Sequence, residues 1–181
     1  MTEESETNPL SPYGKSKLIM EQKASEFAIK NKMNCIIFRI FNIYGPGQSD
    51  EYSGVITKFV RNILTNKPLM IYGDGLQTRD FISIEDVVSV FCSAMMIFEK
   101  YGRIYNIGSG KSISIKELAN LMSNISNKKL PVKFLECNRG EIRFSQASIE
   151  RAKKELNFAP KILLQDGLKK FLHAMRKLNS T

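Results

Sequence analysis

Apolar residues along this chain switch repeatedly between a helical period and short continuous runs. Residues 13–32 carry Leu18, Ile19, Phe27 and Ile29 at helix-compatible spacing, available for a buried face, and Asn34 ends that segment. Residues 35–41 (CIIFRIF) form an apolar run short enough and β-branched enough for a buried strand. Residues 42–54, punctuated by Gly45, Pro46 and Gly47, read as a loop, and residues 55–65 as a helix. A short strand over 69–72 closes on Gly73, Asp74 and Gly75. Ser83 followed by Asp86 resembles a capping box opening an apolar helix that runs to Glu99, and residues 103–107 read as a strand. Ser114 and Glu117 make a better capping box, for a helix bearing Leu118, Leu121, Met122 and Ile125. A strand over 132–135, a short helix over 148–156 and a helix over 164–178 complete the pattern, the last with Leu164, Leu168, Phe171 and Leu172 on one face. Strands alternating with helices predict an α/β fold.

Composition narrows the function classes. A length of 181 residues suits one domain with a real core. The longest strongly apolar stretch, residues 87–98, is interrupted by Ser89 and Ser93 and falls short of the ~20 residues of a membrane span, so no membrane segment is expected. The acidic, polar first residues are unlike a secretory signal, which points to a cytoplasmic chain. Cys35, Cys92 and Cys137 are widely spaced, no CxxC occurs and His173 is the single histidine, so no familiar zinc spacing can be built. The net charge of +9 favours an anionic partner. Its lysines are spread as pairs such as Lys128-Lys129 and Lys153-Lys154, without a helix-turn-helix or an aromatic-interleaved basic run, so nucleic acid is not the expected partner.

Two nucleotide-binding signatures fail. After Gly45 and Gly47 the third position of GxGxxG is Asp50, and after Gly108 and Gly110 it is Ile113. The run from Gly108 to Ser112 suggests a P-loop, but the first required glycine falls at Tyr105.

Tyr13 and Lys17 stand four apart at the start of a helix and so project from one face. A phenol, with an ordinary pKa of about 10, is a poor base at neutral pH, and a neighbouring ammonium stabilises its phenolate. That pairing is a recognised route to a general acid/base, although YxxxK spacing alone equally describes a solvated helix face.

Five segments give the pair its context. Pro9 to Lys17 resembles the SPYGxSK segment of extended short-chain dehydrogenase/reductase proteins, the NAD-dependent nucleotide-sugar epimerase and dehydratase family. Residues 38–47 (FRIFNIYGPG), 71–81 (IYGDGLQTRDF), 105–110 (YNIGSG) and 140–143 (GEIR) are similar to further segments of that family, in the same order. The resemblance implies the C-terminal part of a Rossmann-like doubly wound parallel sheet plus a smaller α/β substrate-binding domain. Residues 1–50 would be a remnant of the NAD-binding domain and 51–181 mainly the nucleotide-sugar subdomain, with 81–107 returning to the Rossmann sheet.

The resemblance also implies roles. Tyr13 would be the acid/base on the sugar hydroxyl, and Lys17 would hold the nicotinamide ribose. Ile40 would pass the nicotinamide, and Asn42 would face the sugar diphosphate. Val55, Met70 and Tyr72 would line the base pocket, Arg79 would contact the diphosphate, and Glu141 would accept the ribose hydroxyls. Arg139 stands one position after the family's usual arginine and is the candidate second diphosphate clamp. Read from the residues alone, Arg79 and Asp80 also describe a surface ion pair, and Met70 and Tyr72 also describe strand core.

The activity implied is that of a UDP-sugar 4-epimerase, with hydride moving from sugar C4 to NAD while Tyr13 takes the hydroxyl proton. A 4,6-dehydratase or reductase of the same family, and a non-catalytic nucleotide-sugar-binding module, are the alternatives. The family's dinucleotide loop precedes the Tyr13 segment, so the expectation is a chain inactive and without NAD affinity alone, completed by an upstream half or a homo-oligomer. The strand over 35–41 should then expose an apolar edge.

Overall fold

The computed structural model describes residues 1–48, 54–137, 140 and 142–178. Its elements in chain order are α1 (Pro12–Asn31), β1 (Cys35–Ile40), β2 (Asn42–Tyr44), α2 (Val55–Leu64), β3 (Leu69–Tyr72), β4 (Thr78–Ser83) and α3 (Ile84–Ala94). They continue with β5 (Tyr101–Ile107), β6 (Ser112–Ser114), α4 (Ile115–Ser126), β7 (Val132–Leu135), α5 (Glu150–Leu156) and α6 (Leu164–Leu178). The architecture is α/β, with parallel pairs β1–β5, β2–β4 and β3–β7 and an antiparallel β4–β6 pair.

Two cores follow from the alternation of side chains across strands. On one face of β1–β5, Phe38 and Tyr105 join Val87 and Val90 of α3 and Ala152 and Leu156 of α5. On the other face Arg39 forks onto Glu21 of α1, at 2.6 and 2.7 Å. The second core gathers Ile56, Phe59 and Ile63 of α2, Leu118 and Met122 of α4, and Leu168 and Phe171 of α6 around Leu69, Ile71 and Phe81.

Several sequence expectations change. The α1 face carrying Ile19, Phe27 and Ile29 is exposed, and Ala28 is the helix's buried residue. Gly102 in β5 permits a close approach of the helix at Ser25, where a Cβ would meet the Ser25 Cα at 2.8 Å, and α1 lies on the sheet there through small residues. Residues 42–44 form strand β2 rather than loop, because β4 supplies its backbone partners. Helix α3 stops at Ala94, short of Glu99. The Ser83 hydroxyl caps the Glu85 N–H, whereas the Asp86 carboxylate turns away to the backbone N–H groups of Lys161 and Ile162, at 2.9 and 3.1 Å. The Ser114–Glu117 capping box forms in full. Among the described residues no helix is long and apolar enough to cross a membrane, and no cluster of three His, Cys, Asp or Glu side chains could hold a metal.

Candidate functional site

Helix α1 opens on Ser11, whose hydroxyl accepts from the Gly14 N–H at 3.0 Å, with Pro12 at the first helical position. This fixes Tyr13 in the first turn and Lys17 one turn later. The Lys17 ammonium stands 5.4 Å from the centroid of the Tyr13 ring, over its face. Tyr13 is 72% exposed.

Tyr13 lies at the mouth of a cleft of about 840 Å³ between the two cores. Ile40 and Asn42 reach it from the crossing between β1 and β2, and Val55 from the start of α2. Met70 and Tyr72 of β3 and Arg79 of β4 complete the sequence-derived set along its walls. Lys17 faces a second cleft of about 590 Å³, which shares Tyr13 and Ile40 with the first. Arg139 and Glu141 lie outside the described residues. Ile40 and Tyr72 close the parallel strands β1 and β3, and such carboxyl strand ends are where open α/β sheets bind ligands.

The polar groups are held by specific bonds. The Asn42 amide donates to the Asp80 carbonyl at 2.9 Å. The Arg79 guanidinium donates to the backbone carbonyls of Thr78 and Ile142, at 2.8 and 2.6 Å, while lining the cleft. Asp80 does not lie at the surface beside it: it is fully buried on the opposite side of β4, as strand alternation dictates. The Asp74 carboxylate takes a two-pronged bond from Arg143, at 2.7 Å for both, and that guanidinium holds its pKa down to about 2. Burial, with the carboxylates of Asp86, Glu85 and Asp166 nearby, pushes the Tyr44 phenol far above its ordinary range and keeps it protonated.

Further lining residues escaped the sequence reading. Lys58 and Asn62, four apart on α2, face the cleft beside Phe59, and Gln48 and Phe81 line it too. The signal for the α2 residues was the i, i+4 spacing of two polar groups beside an apolar stripe. Among the described lining residues Lys58 and Arg79 are cationic and none is a carboxylate. The cleft therefore favours an anion, and its apolar walls favour a ligand with a planar or hydrophobic part.

Residues 1–108 match the model of the NAD dependent epimerase/dehydratase family. An uncharacterized UDP-glucose epimerase of Bacillus subtilis, YtcB, is 32% identical over 168 residues, covering 93% of this chain and 52% of the relative. The crystal structure of a Thermotoga maritima UDP-glucose 4-epimerase with UDP-glucose superposes with a TM-score of 0.91 at 31% identity, over 99% of this chain and 58% of that one. The dTDP-glucose 4,6-dehydratase of Bacillus anthracis in complex with NAD gives a TM-score of 0.90 at 28% identity, over 99% and 57%. The chain spans about half the length of the curated relatives it matches. A family model covering more than half of the chain, with likeness to both nucleotide-sugar epimerases and dehydratases, establishes that this chain belongs to the NAD-dependent epimerase/dehydratase family.

Proposed function

We propose that this chain supplies the nucleotide-sugar site and the proton-transfer residues of an NAD-dependent UDP-sugar 4-epimerase. The observation that carries the reading is the single cleft that joins Tyr13 to Arg79 and Lys58 with no carboxylate among its described lining residues. In this reading Arg79 and Lys58 bind the diphosphate, and Met70, Tyr72 and Val55 wall the base. Asn42, anchored to β4, faces the sugar diphosphate. Tyr13 exchanges the proton of the C4 hydroxyl, with the Lys17 ammonium beside its ring. Glu141 takes the ribose hydroxyls and Arg139 is the second diphosphate clamp.

The residues present fit one end of NAD. Tyr13, Lys17 and Ile40 line the second cleft, which has room for a nicotinamide ribose. When bound, NAD accepts and returns the hydride. No GxGxxG occurs in the 181 residues, so the reading assigns the pyrophosphate to a further Gly-rich segment and expects no turnover from these residues alone. In this reading residues 1–50, with the returning 81–107 segment, belong to the cofactor-side unit, and the rest of 51–181 is mainly the nucleotide-sugar unit.

The test is complementation with an upstream fragment that carries a Gly-rich dinucleotide loop. Activity should appear, and Tyr13→Phe should abolish it while UDP-sugar binding stays intact by calorimetry; an undiminished rate would eliminate the proton-transfer role. The 4,6-dehydratase is the second reading, favoured by the matching superposition on the Bacillus anthracis enzyme. Product analysis separates the two, since an epimerase returns the C4 epimer and a dehydratase a 4-keto-6-deoxy sugar. Binding without turnover in the complemented protein would leave the non-catalytic module.

A further inference from the structure

The first turn of α2 forms a wall of the cleft through Val55, Ile56 and Lys58, yet its anchoring differs from that of α1, α3 and α4. Helices α1, α3 and α4 each begin under a serine whose hydroxyl caps a backbone N–H. Helix α2 begins at Gly54, which has no side chain to cap with. A different contact holds it. Thr57 is 2% exposed, and its hydroxyl donates to Gln48 Oε1 at 2.5 Å. From the same amide, Nε2 donates to the Ile43 carbonyl in β2 at 3.2 Å. Gln48 thus spans the cleft floor and its wall with both ends of one side chain, and it lines the cleft itself.

We propose that Gln48 is a positioning residue that, through Thr57, sets the first turn of α2 against β2 and so places Lys58 and Val55 for the nucleotide diphosphate. The proposal rests on the nucleotide-sugar reading above. The geometry supports a strut specified at each end. The β2 end must receive a donor, because a backbone carbonyl only accepts. The α2 end must receive an acceptor, because a buried hydroxyl needs somewhere to place its proton. Glutamine meets both demands; glutamate can meet only the second. Gly45 sets the direction in which the chain leaves β2 toward Gln48, since a Cβ there would overlap the Ile84 side chain. Asn42 lies one residue before the strut's β2 anchor, so the Asn42 amide and the Lys58 ammonium, which line the same cleft, are held to each other through this contact.

UDP titrations by calorimetry on the full chain, with urea midpoints measured alongside, test the assignment. Gln48→Ala and Thr57→Val should each weaken UDP about ten-fold, the size expected for one buried hydrogen bond. The double variant should be no weaker than either single one, because both remove the same strut. Thr57→Ser keeps the hydroxyl and should stay within about two-fold of the parent. Gln48→Glu, which preserves the acceptor if the alanine variant does not fold, should show an intermediate loss. Additive losses, a loss in Thr57→Ser equal to that in Thr57→Val, or lowered urea midpoints with unchanged UDP affinity would each overturn the positioning role. If the parent chain fails to bind UDP, the nucleotide-sugar reading falls and the proposal falls with it. Parent binding with unaffected variants overturns the proposal alone.

Discussion

Replacing Asp80 by asparagine exchanges a single heavy atom and should nevertheless be severe. Asp80 is fully buried, and four donors converge on its carboxylate. Oδ1 accepts from the Ser109 N–H at 2.8 Å and the Ser109 hydroxyl at 2.7 Å. Oδ2 accepts from the N–H groups of Gly110 at 3.0 Å and Ala147 at 3.1 Å. An asparagine with its NH2 toward Gly110 and Ala147 would orphan both of those N–H groups. Turned the other way it does better, because the Ser109 hydroxyl can accept from the amide and give its own proton to the Lys111 carbonyl, 3.0 Å away. The Ser109 N–H then still faces a donor. One unsatisfied buried N–H, together with weakening of the two remaining bonds as the charge is lost, comes to about 2–4 kcal/mol. With a urea m-value of about 2 kcal/mol/M, the midpoint should fall by about 1–2 M at unchanged m. Asp80→Ala, which orphans three N–H groups, should be worse still. Equilibrium urea unfolding followed by circular dichroism measures both variants. A midpoint for Asp80→Asn within about 0.2 M of the parent would refute the view that this carboxylate holds the 108–110 turn to β4.

Among the described residues the buried Tyr44 hydroxyl has no hydrogen-bond partner, so Tyr44→Phe should raise stability by about 1 kcal/mol, read as a higher urea midpoint. The Cβ of Gly167→Ala would overlap that hydroxyl, so this variant should be destabilised and Tyr44→Phe should restore part of the loss. Glu155 accepts from Arg103, Tyr105 and Lys100, and the Arg103 bond foremost lowers its pKa from 4.5 to about 2. Its contribution is complete above pH 4.5 and is lost as pH falls toward 2, so the parent-minus-Glu155→Gln difference in Tm should shrink over that window; a flat difference refutes the linkage. Ile19, Met20, Phe27 and Ile29 on α1 are each more than half exposed, so the chain alone should associate as concentration rises, and a clean monomer in sedimentation at high concentration would count against this.

Much of the candidate site's placement along the clefts was legible because its residues sit in local segments whose shapes the sequence dictates. Tyr13 and Lys17 need only a helix start, which Ser11 and Pro12 declare, and Met70 and Tyr72 need only a strand. What was not legible depends on partners distant in sequence. β2 is three residues long and exists because β4, nearly forty positions later, supplies its ladder. The opposed roles of Arg79 and Asp80 follow from strand alternation, and that became readable only once residues 78–83 were known to be a strand. Asp86 was drawn away from the expected capping box by two N–H groups of the segment before α6. The packing face of α1 was misjudged because apolar spacing marks surfaces that can be buried. Against this sheet the helix makes its close approach at Gly102 through small residues.

Helix α1, which carries Tyr13, packs on the β1–β5 sheet, Arg79 stands in the β2–β4 sheet, and the three residues Ile40, Phe41 and Asn42 join the two. Ile40 pairs with Ile107 in the β1–β5 sheet, and the Phe41 N–H still donates to the Ile107 carbonyl at 2.8 Å. One residue later Asn42 pairs with Phe81 in the β2–β4 sheet, and its side chain also bonds the Asp80 carbonyl. The chain therefore leaves one sheet and enters the other with no free residue between them. A connection that short, hydrogen-bonded on both sides, leaves little backbone freedom to vary the distance from Tyr13 to Arg79. The buried Asp80 carboxylate extends that constraint, because it fixes the strand whose carbonyl holds Asn42 and whose next side chain is Arg79. Stability at the 108–110 turn and geometry in the cleft are thus one property. A variant that loosens Asp80 should weaken an anionic ligand even though its carboxylate never faces the cleft.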